Sequence, residues 1–212
     1  MIIDILGFFA NTVCHRMDSR SVFIYGKKLP LCARCTGIYI GVLVGFLMLC
    51  ALKRLDFKKP PELKTAVLSA VFLLPLMLDG AGSYFGFFGT ANIIRIITGA
   101  LCGVFFPAFF VLAINYTGNF ENTSKPIISF KEYIVMCLFS LSLAFVVYFG
   151  FINYYVAAVF SILGVAVFYI LLFSMLLRLI FKKTGISKIL AASGIIMVGY
   201  VFLFNFALGM MT

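Results

Sequence analysis

YYVAAVFSILGVAVFYILLFSMLLRLIF, residues 154 to 181, carries no charged side chain before Arg178. A helix rises about 1.5 Å per residue, so about 20 mostly apolar residues cross the roughly 30 Å hydrocarbon core of a bilayer. This stretch is long enough to do so. Working outward from it, the same reading holds for Thr36 to Leu52, Leu63 to Leu78, Ala91 to Asn115, Glu132 to Phe149 and Ile189 to Met211, each bounded by charge, Pro, Gly or Asn. With 64% hydrophobic and 11% charged residues, the chain has too little polar surface to cover a water-soluble globule. The expected fold is all-α, a polytopic transmembrane bundle of about six spanning helices, and its first partner is the lipid bilayer.

The beginning of the chain superficially resembles a secretory signal, because Ile2 to Val13 is apolar and Cys14 follows. It lacks a basic leading segment, carries Asp4, and has Val13 where a small residue precedes cleavage or lipidation. Residues 1 to 13 therefore read as a retained interfacial or re-entrant helix, too short to span. Two regions follow: residues 1–35, an interfacial segment with a Cys/His cap, and residues 36–212, the helical bundle.

The formal charge of +10 would suggest nucleic acid in a soluble protein. Here it reads as the lysine and arginine that membrane proteins collect in cytoplasmic loops, and no stretch interleaves basic and aromatic residues on a water-facing surface. Nucleic acid is not an expected partner. Lys53, Arg54, Lys58, Lys59 and Lys64, then Lys125 and Lys131, then Arg178, Lys182, Lys183 and Lys188 fall in alternate connections, on one side of a six-span bundle. The connections 79–90 and 150–153 have no Lys or Arg. The positive-inside rule makes the first side cytoplasmic. It leaves the smaller group Arg16, Arg20, Lys27, Lys28 and Arg34 outside, and places the Cys/His cap on the extracytoplasmic face of a prokaryotic cell membrane, together with Asp79, Asn92 and Arg95.

Chemistry concentrates in Cys14-His15 and Cys32-Ala33-Arg34-Cys35, which hold three thiols and the one histidine of the chain. A C-x-x-C pair plus a distant Cys and His is a ligand set that zinc accepts, so Cys14, His15, Cys32 and Cys35 are candidate metal ligands, with His15 as fourth ligand or neighbour. A disulfide staple is an alternative on an oxidising face. So is thiol redox chemistry, because a helix N-terminus with Arg34 and His15 nearby lowers a thiol pKa. Cys50, Cys102 and Cys137 lie inside apolar runs and read as small buried residues.

A second group comprises Asp79-Gly80 at the outer end of the second span, with Asn92, Arg95 and Thr98 opening the third. An ionised group near hydrocarbon costs several kcal/mol unless it reaches water or a partner. Asp79 and Arg95 either lock the hairpin as an ion pair or act as base and anion receptor, with Arg34, Asn92 and Thr98 completing a site for a lipid or small anionic ligand. Gly37, Gly41 and Gly45 repeat at small-xxx-small spacing, a close-packing face that also offers a route to oligomerisation. No Walker A loop, H-E-x-x-H, G-x-S-x-G or histidine-rich box is present.

C-H-R at 14–16, R-S at 20–21, Gly26, P-L-C-A-R-C-T-G-I-Y-I-G at 30–41, D-G at 79–80, N-I-I-R-I-I-T-G at 92–99 and Gly103 together resemble the predicted membrane proteins catalogued as domain of unknown function 2085. The resemblance spans roughly residues 11–110, the C-A-R-C-T-G-I-Y stretch being the most specific part. Where members carry Thr-Gln after Asp-Gly and an arginine shortly before the Asn, this chain has Ala81-Gly82-Ser83 and Phe88. The resemblance implies that Cys14, His15, Cys32, Arg34, Cys35, Asp79, Asn92 and Arg95 form one constellation. The resulting expectation is a membrane metalloprotein with a Cys/His zinc site beside an Asp/Arg pocket, working as a metal-dependent hydrolase or transferase if it is an enzyme. A thiol-disulfide oxidoreductase, or a transporter or binding protein with a structural cap, stands as the alternative.

Overall fold

The structure is a computed structural model of the chain, and it describes residues 2–15, 17–86, 89–115, 126–181 and 185–209. Arg16, Phe88, Lys125, Lys182, Lys183 and Met211, named above, lie outside the described residues. Among the described residues, six helical stretches are long and apolar enough to cross a membrane: Ala33–Ala51, Leu63–Ser83, Asn92–Asn115, Phe130–Tyr148, Tyr154–Ile180 and Lys188–Gly209. The protein is a multi-pass all-α membrane protein, with one small sheet in its cap.

The cap begins with α1 (Ile2–Ala10), a helix too short to span, which packs on the later helices. After a single 3-10 turn at Asp18–Arg20 comes a hairpin of β1 (Ser21–Ile24) and β2 (Lys27–Cys32). Its two-residue turn places Tyr25 and Gly26 at φ of 49° and 74°, a backbone that matches strand twist and that glycine adopts without steric cost. Pro30 sits in β2, where the sheet has only two strands and a missing donor is tolerated. Most of the segment between Cys14-His15 and the C-x-x-C pair is thus a hairpin.

The bundle consists of α2 (Ala33–Ala51), α3 (Leu63–Phe85), α4 (Asn92–Gly103), α5 (Phe106–Asn115), α6 (Phe130–Tyr148), α7 (Tyr154–Ile180) and α8 (Ile186–Gly209). Helix α2 is central, against α4, α5, α6 and α7. Helices α3 and α8 lie outside, presenting Leu74, Met77, Leu78, Phe202, Leu203 and Phe206 outward, as lipid-facing helices do.

Two boundaries differ from the sequence reading. The second span does not end at Leu78: α3 runs through Asp79 and Gly80 to Phe85 and stops at Gly86, whose φ of 73° makes the left-handed C-terminal cap. Asp79 is therefore inside a helix rather than in a turn. The third span is two helices, broken at Val104–Phe105, because Pro107 has no N–H for the carbonyl of Gly103.

The glycine face of α2 is filled by α4 of the same chain. A β-carbon on Gly37, Gly41 or Gly45 would lie 2.2, 2.5 and 2.3 Å from the carbonyl oxygens of Ile96, Ala100 and Val104. Reciprocally, Gly99 and Gly103 face the carbonyls of Arg34 and Ile38 at 2.5 and 2.1 Å. Oligomerisation through this face is thereby corrected, since a second copy has no access to it. The same contact brings Arg34 at the start of α2 to the level of Arg95 at the start of α4.

Candidate functional site

Local structure gathers the three thiols. Cys32 ends β2 with extended backbone and serves as N-cap of α2, while Cys35 sits three residues on, so the first helical turn brings both side chains to one side. Cys14 arrives from the end of the α1 segment, where the N–H of Cys32 donates to its Sγ at 3.3 Å. The Cys35 thiol donates to the carbonyl of Val13 at 3.9 Å. The three sulfurs lie within 4.8 Å of one another, and all three are half-buried free thiols. A tetrahedral ion at about 2.3 Å from each sulfur needs sulfurs about 3.8 Å apart, a small contraction of what is present.

His15 is exposed, and among the described residues the ligand group contains the three cysteines without it. The geometry therefore corrects the four-ligand set: His15 stands on the cavity rim rather than among the sulfurs. The expected low thiol pKa is corrected as well. Cys14 beside Cys32 pushes its thiol up, and burial adds to this, while the thiol and backbone N–H of Cys35 pull the other way without winning. Crowded thiols oppose ionisation more than the helix N-terminus favours it.

The Asp79 carboxylate is held chiefly by Arg34, not by Arg95 alone. Arg34 donates to Oδ2 from Nε at 2.8 Å and from Nη2, and Thr90 donates to Oδ1. Arg95 Nε stands 3.7 Å from Oδ1 and donates to Thr90 Oγ1 at 3.0 Å, while its Nη2 donates to Ser83 Oγ at 3.2 Å. Asp79 and Arg95 are each only 4% exposed, so this network takes the place of water around two buried charges.

Asn92 fastens the cap to the bundle, its amide donating to the carbonyls of Ser19 and Ser21 at 3.3 Å each. Arg20 does the same through Ser83 O at 3.1 Å. Tyr154 and Tyr169 tie down the carbonyls of Lys28 and Thr12. Thr98 turns its hydroxyl back onto the carbonyls of Ile94 and Arg95 within its own helix, outside the network. Sequence reading overlooked Arg20, Ser83 and Thr90 as site residues; only the polar run of Ser83 and Thr90 flanking the α3–α4 connection hinted at them.

A cavity of about 470 Å³ joins the two groups. Cys14, His15, Cys32 and Cys35 line one part, Arg20, Arg34, Ser83 and Arg95 another, and Val13 and Met17 supply apolar wall. Residues 14–109 match the family described as predicted membrane protein, domain of unknown function 2085. The chain belongs to that family. The family segment runs from the first thiol to the middle of α5, so every residue of the cavity except Val13 falls within it. An uncharacterized protein of Methanocaldococcus jannaschii is 40% identical over 104 residues, which are 49% of this chain and 64% of that protein, just under two thirds of its length. An uncharacterized protein of Methanothermobacter thermautotrophicus is 31% identical over 94 residues, 43% of this chain and 78% of that protein. No solved structure shows a significant match.

Proposed function

We propose that this membrane protein holds a divalent metal ion on Cys14, Cys32 and Cys35, and that the metal centre serves a metal-dependent hydrolase or transferase acting on an anionic or lipid-linked substrate. The observation that carries this reading is the approach of three sulfurs within 4.8 Å at the wall of an arginine-lined cavity. Thiolate ligands favour a soft or borderline ion, zinc first. Three protein ligands leave a coordination position free, which is the pattern of catalytic rather than closed structural zinc sites. Such an ion, when bound, supplies Lewis acidity and a water of lowered pKa.

The chain's own residues have separable roles. Arg34 binds and orients the anion, Arg95 raises the positive potential beside it, Asp79 fixes both guanidiniums, and exposed His15 stands on the rim. The distribution of basic residues supports an extracytoplasmic location for the cap.

Elemental analysis of the detergent-purified full chain tests the metal. About one zinc per chain is expected, lost in Cys32→Ser and kept in Cys50→Ser. Metal-free protein carrying a Cys32–Cys35 disulfide would overturn the reading. Labelling of Cys32 by a membrane-impermeant reagent from the cytoplasmic side would overturn the orientation.

A further inference from the structure

The cavity carries more positive charge than its surroundings neutralise. Arg20, Arg34 and Arg95 line it, and among the described residues Asp79 is the one carboxylate that pairs with any of them. Arg20 donates to a neutral carbonyl. Arg34 engages Asp79 through Nε and Nη2, which leaves Nη1 outside that pair. Three guanidiniums against one carboxylate leave two positive charges. A divalent ion on three thiolates subtracts one, a step that rests on the proposed metal site. One uncompensated positive charge remains on half-buried Arg20 and Arg34 at the edge of the buried Asp79–Arg95 network, where a bound anion would pair with it.

We infer that the cavity binds the singly charged phosphodiester of an amphipathic ligand, with Arg20 and Arg34 as its donors. The guanidinium fork matches two phosphate oxygens, and a single residual charge fits a diester rather than the dianion of a phosphate monoester. A volume of about 470 Å³ accommodates a headgroup-sized ligand. Val13 and Met17 add apolar wall beside the arginines, which suits carbon substituents on both sides of the phosphate. Arg95, with its nitrogens turned to Thr90, Ser83 and Asn92, is a positioning residue that raises the local potential.

Native mass spectrometry of the full chain in detergent, with metal content measured on the same sample, tests this. The probes are phosphatidylglycerol, glycerophosphoglycerol as the same diester without acyl chains, and inorganic phosphate. One diester per chain is expected, bound about tenfold more weakly by Arg20→Gln, as loss of a charge-assisted hydrogen bond implies. Arg20→Lys should restore part of the affinity, and Lys64→Gln, an exposed charge at the start of α3, should leave it unchanged. Among the described residues the Arg20 side chain gives up one hydrogen bond, to the Ser83 carbonyl, so the variant keeps its fold; Arg34→Gln provides the second variant. Preference for phosphatidylglycerol identifies a lipid source, and equal binding of glycerophosphoglycerol a soluble one; both support the diester site. Tighter binding of inorganic phosphate, or equal diester binding by wild type and both variants, would overturn it. Loaded metal without diester binding sinks this inference alone, whereas diester binding by metal-free protein sinks the metal reading and keeps the anion site.

Discussion

Replacing Gly103 by alanine should destabilise the bundle at the α2–α4 crossing. The added β-carbon would stand 2.1 Å from the Ile38 carbonyl oxygen, 2.9 Å from its carbon and 3.1 Å from the Cα of Gly41. The first distance is more than 1 Å short of ordinary contact, so the helices would have to part, and a gap of about 0.5–1 Å forfeits a quarter to a half of each dispersion well along the crossing. All three obstacles are backbone atoms of a helix, which cannot rotate aside. Overpacking of this kind costs about 1–3 kcal/mol, against at most about 1 kcal/mol gained from the better helix propensity of alanine. The steric effect outweighs it at this backbone-to-backbone contact, for a net loss of up to about 2 kcal/mol. For a chain of this length that is about 2–4 °C in Tm per kcal/mol. Thermal unfolding in detergent, followed by far-UV circular dichroism, reads it out. Gly199→Ala in α8 is the internal control: nothing lies within 4 Å of its new β-carbon, so it should be neutral or slightly stabilising. Gly41→Ala combined with Gly103→Ala should depart from additivity, because the two sites touch. If Gly103→Ala and Gly199→Ala melt alike, the close α2–α4 approach is not what holds these helices together.

Asp79→Asn leaves Arg34 and Arg95 buried without their shared counter-charge, and should cost about 3 kcal/mol or more; a melting temperature within about 2 °C of wild type would contradict it. At the opposite end, Arg54 reaches both carboxylate oxygens of Glu132 at 2.6 Å and the Ile127 carbonyl at 3.1 Å, while the Ser129 N–H donates to Glu132 at 2.8 Å. Glu132→Gln should therefore cost about 2 kcal/mol, checked by the same melt. Metal affinity should fall as pH falls, because the thiols must lose protons to bind, and an isothermal zinc titration across pH measures this. The metal-free protein should show the reverse slope. Its raised Cys32 thiol binds a proton more tightly than in the unfolded chain, so that contribution is present below the ordinary thiol pKa of about 8.5 and is lost as pH rises toward the raised value. Stability of Cys32→Ser without metal should show a shallower alkaline decline.

The apolar runs determined the membrane architecture by themselves, because in hydrocarbon each segment must satisfy its backbone hydrogen bonds internally and so declares its length in its own composition. The C-x-x-C spacing likewise determined that Cys32 and Cys35 approach one another, since a strand end followed by a helical turn is a local matter. The partner of Asp79 was not legible. Arg34, 45 residues earlier in the chain, reaches it because α2 and α3 both pack on α4, and no periodicity records which helices meet. The fate of Gly37, Gly41 and Gly45 was open for the same reason: a small-residue face admits any close neighbour, from this chain or another, and tertiary packing gave it α4. The break at Val104–Phe105 could have been read from Pro107, which withholds a donor. The exposure of His15 could not, because which adjacent side chain turns inward depends on the surface against which the cap rests. Sequence thus determined which segments are long and apolar enough to enter the bilayer and which two thiols must lie close; only the tertiary structure decided that the thiols and the arginines line one cavity, because contacts between helices far apart in the chain leave no local trace.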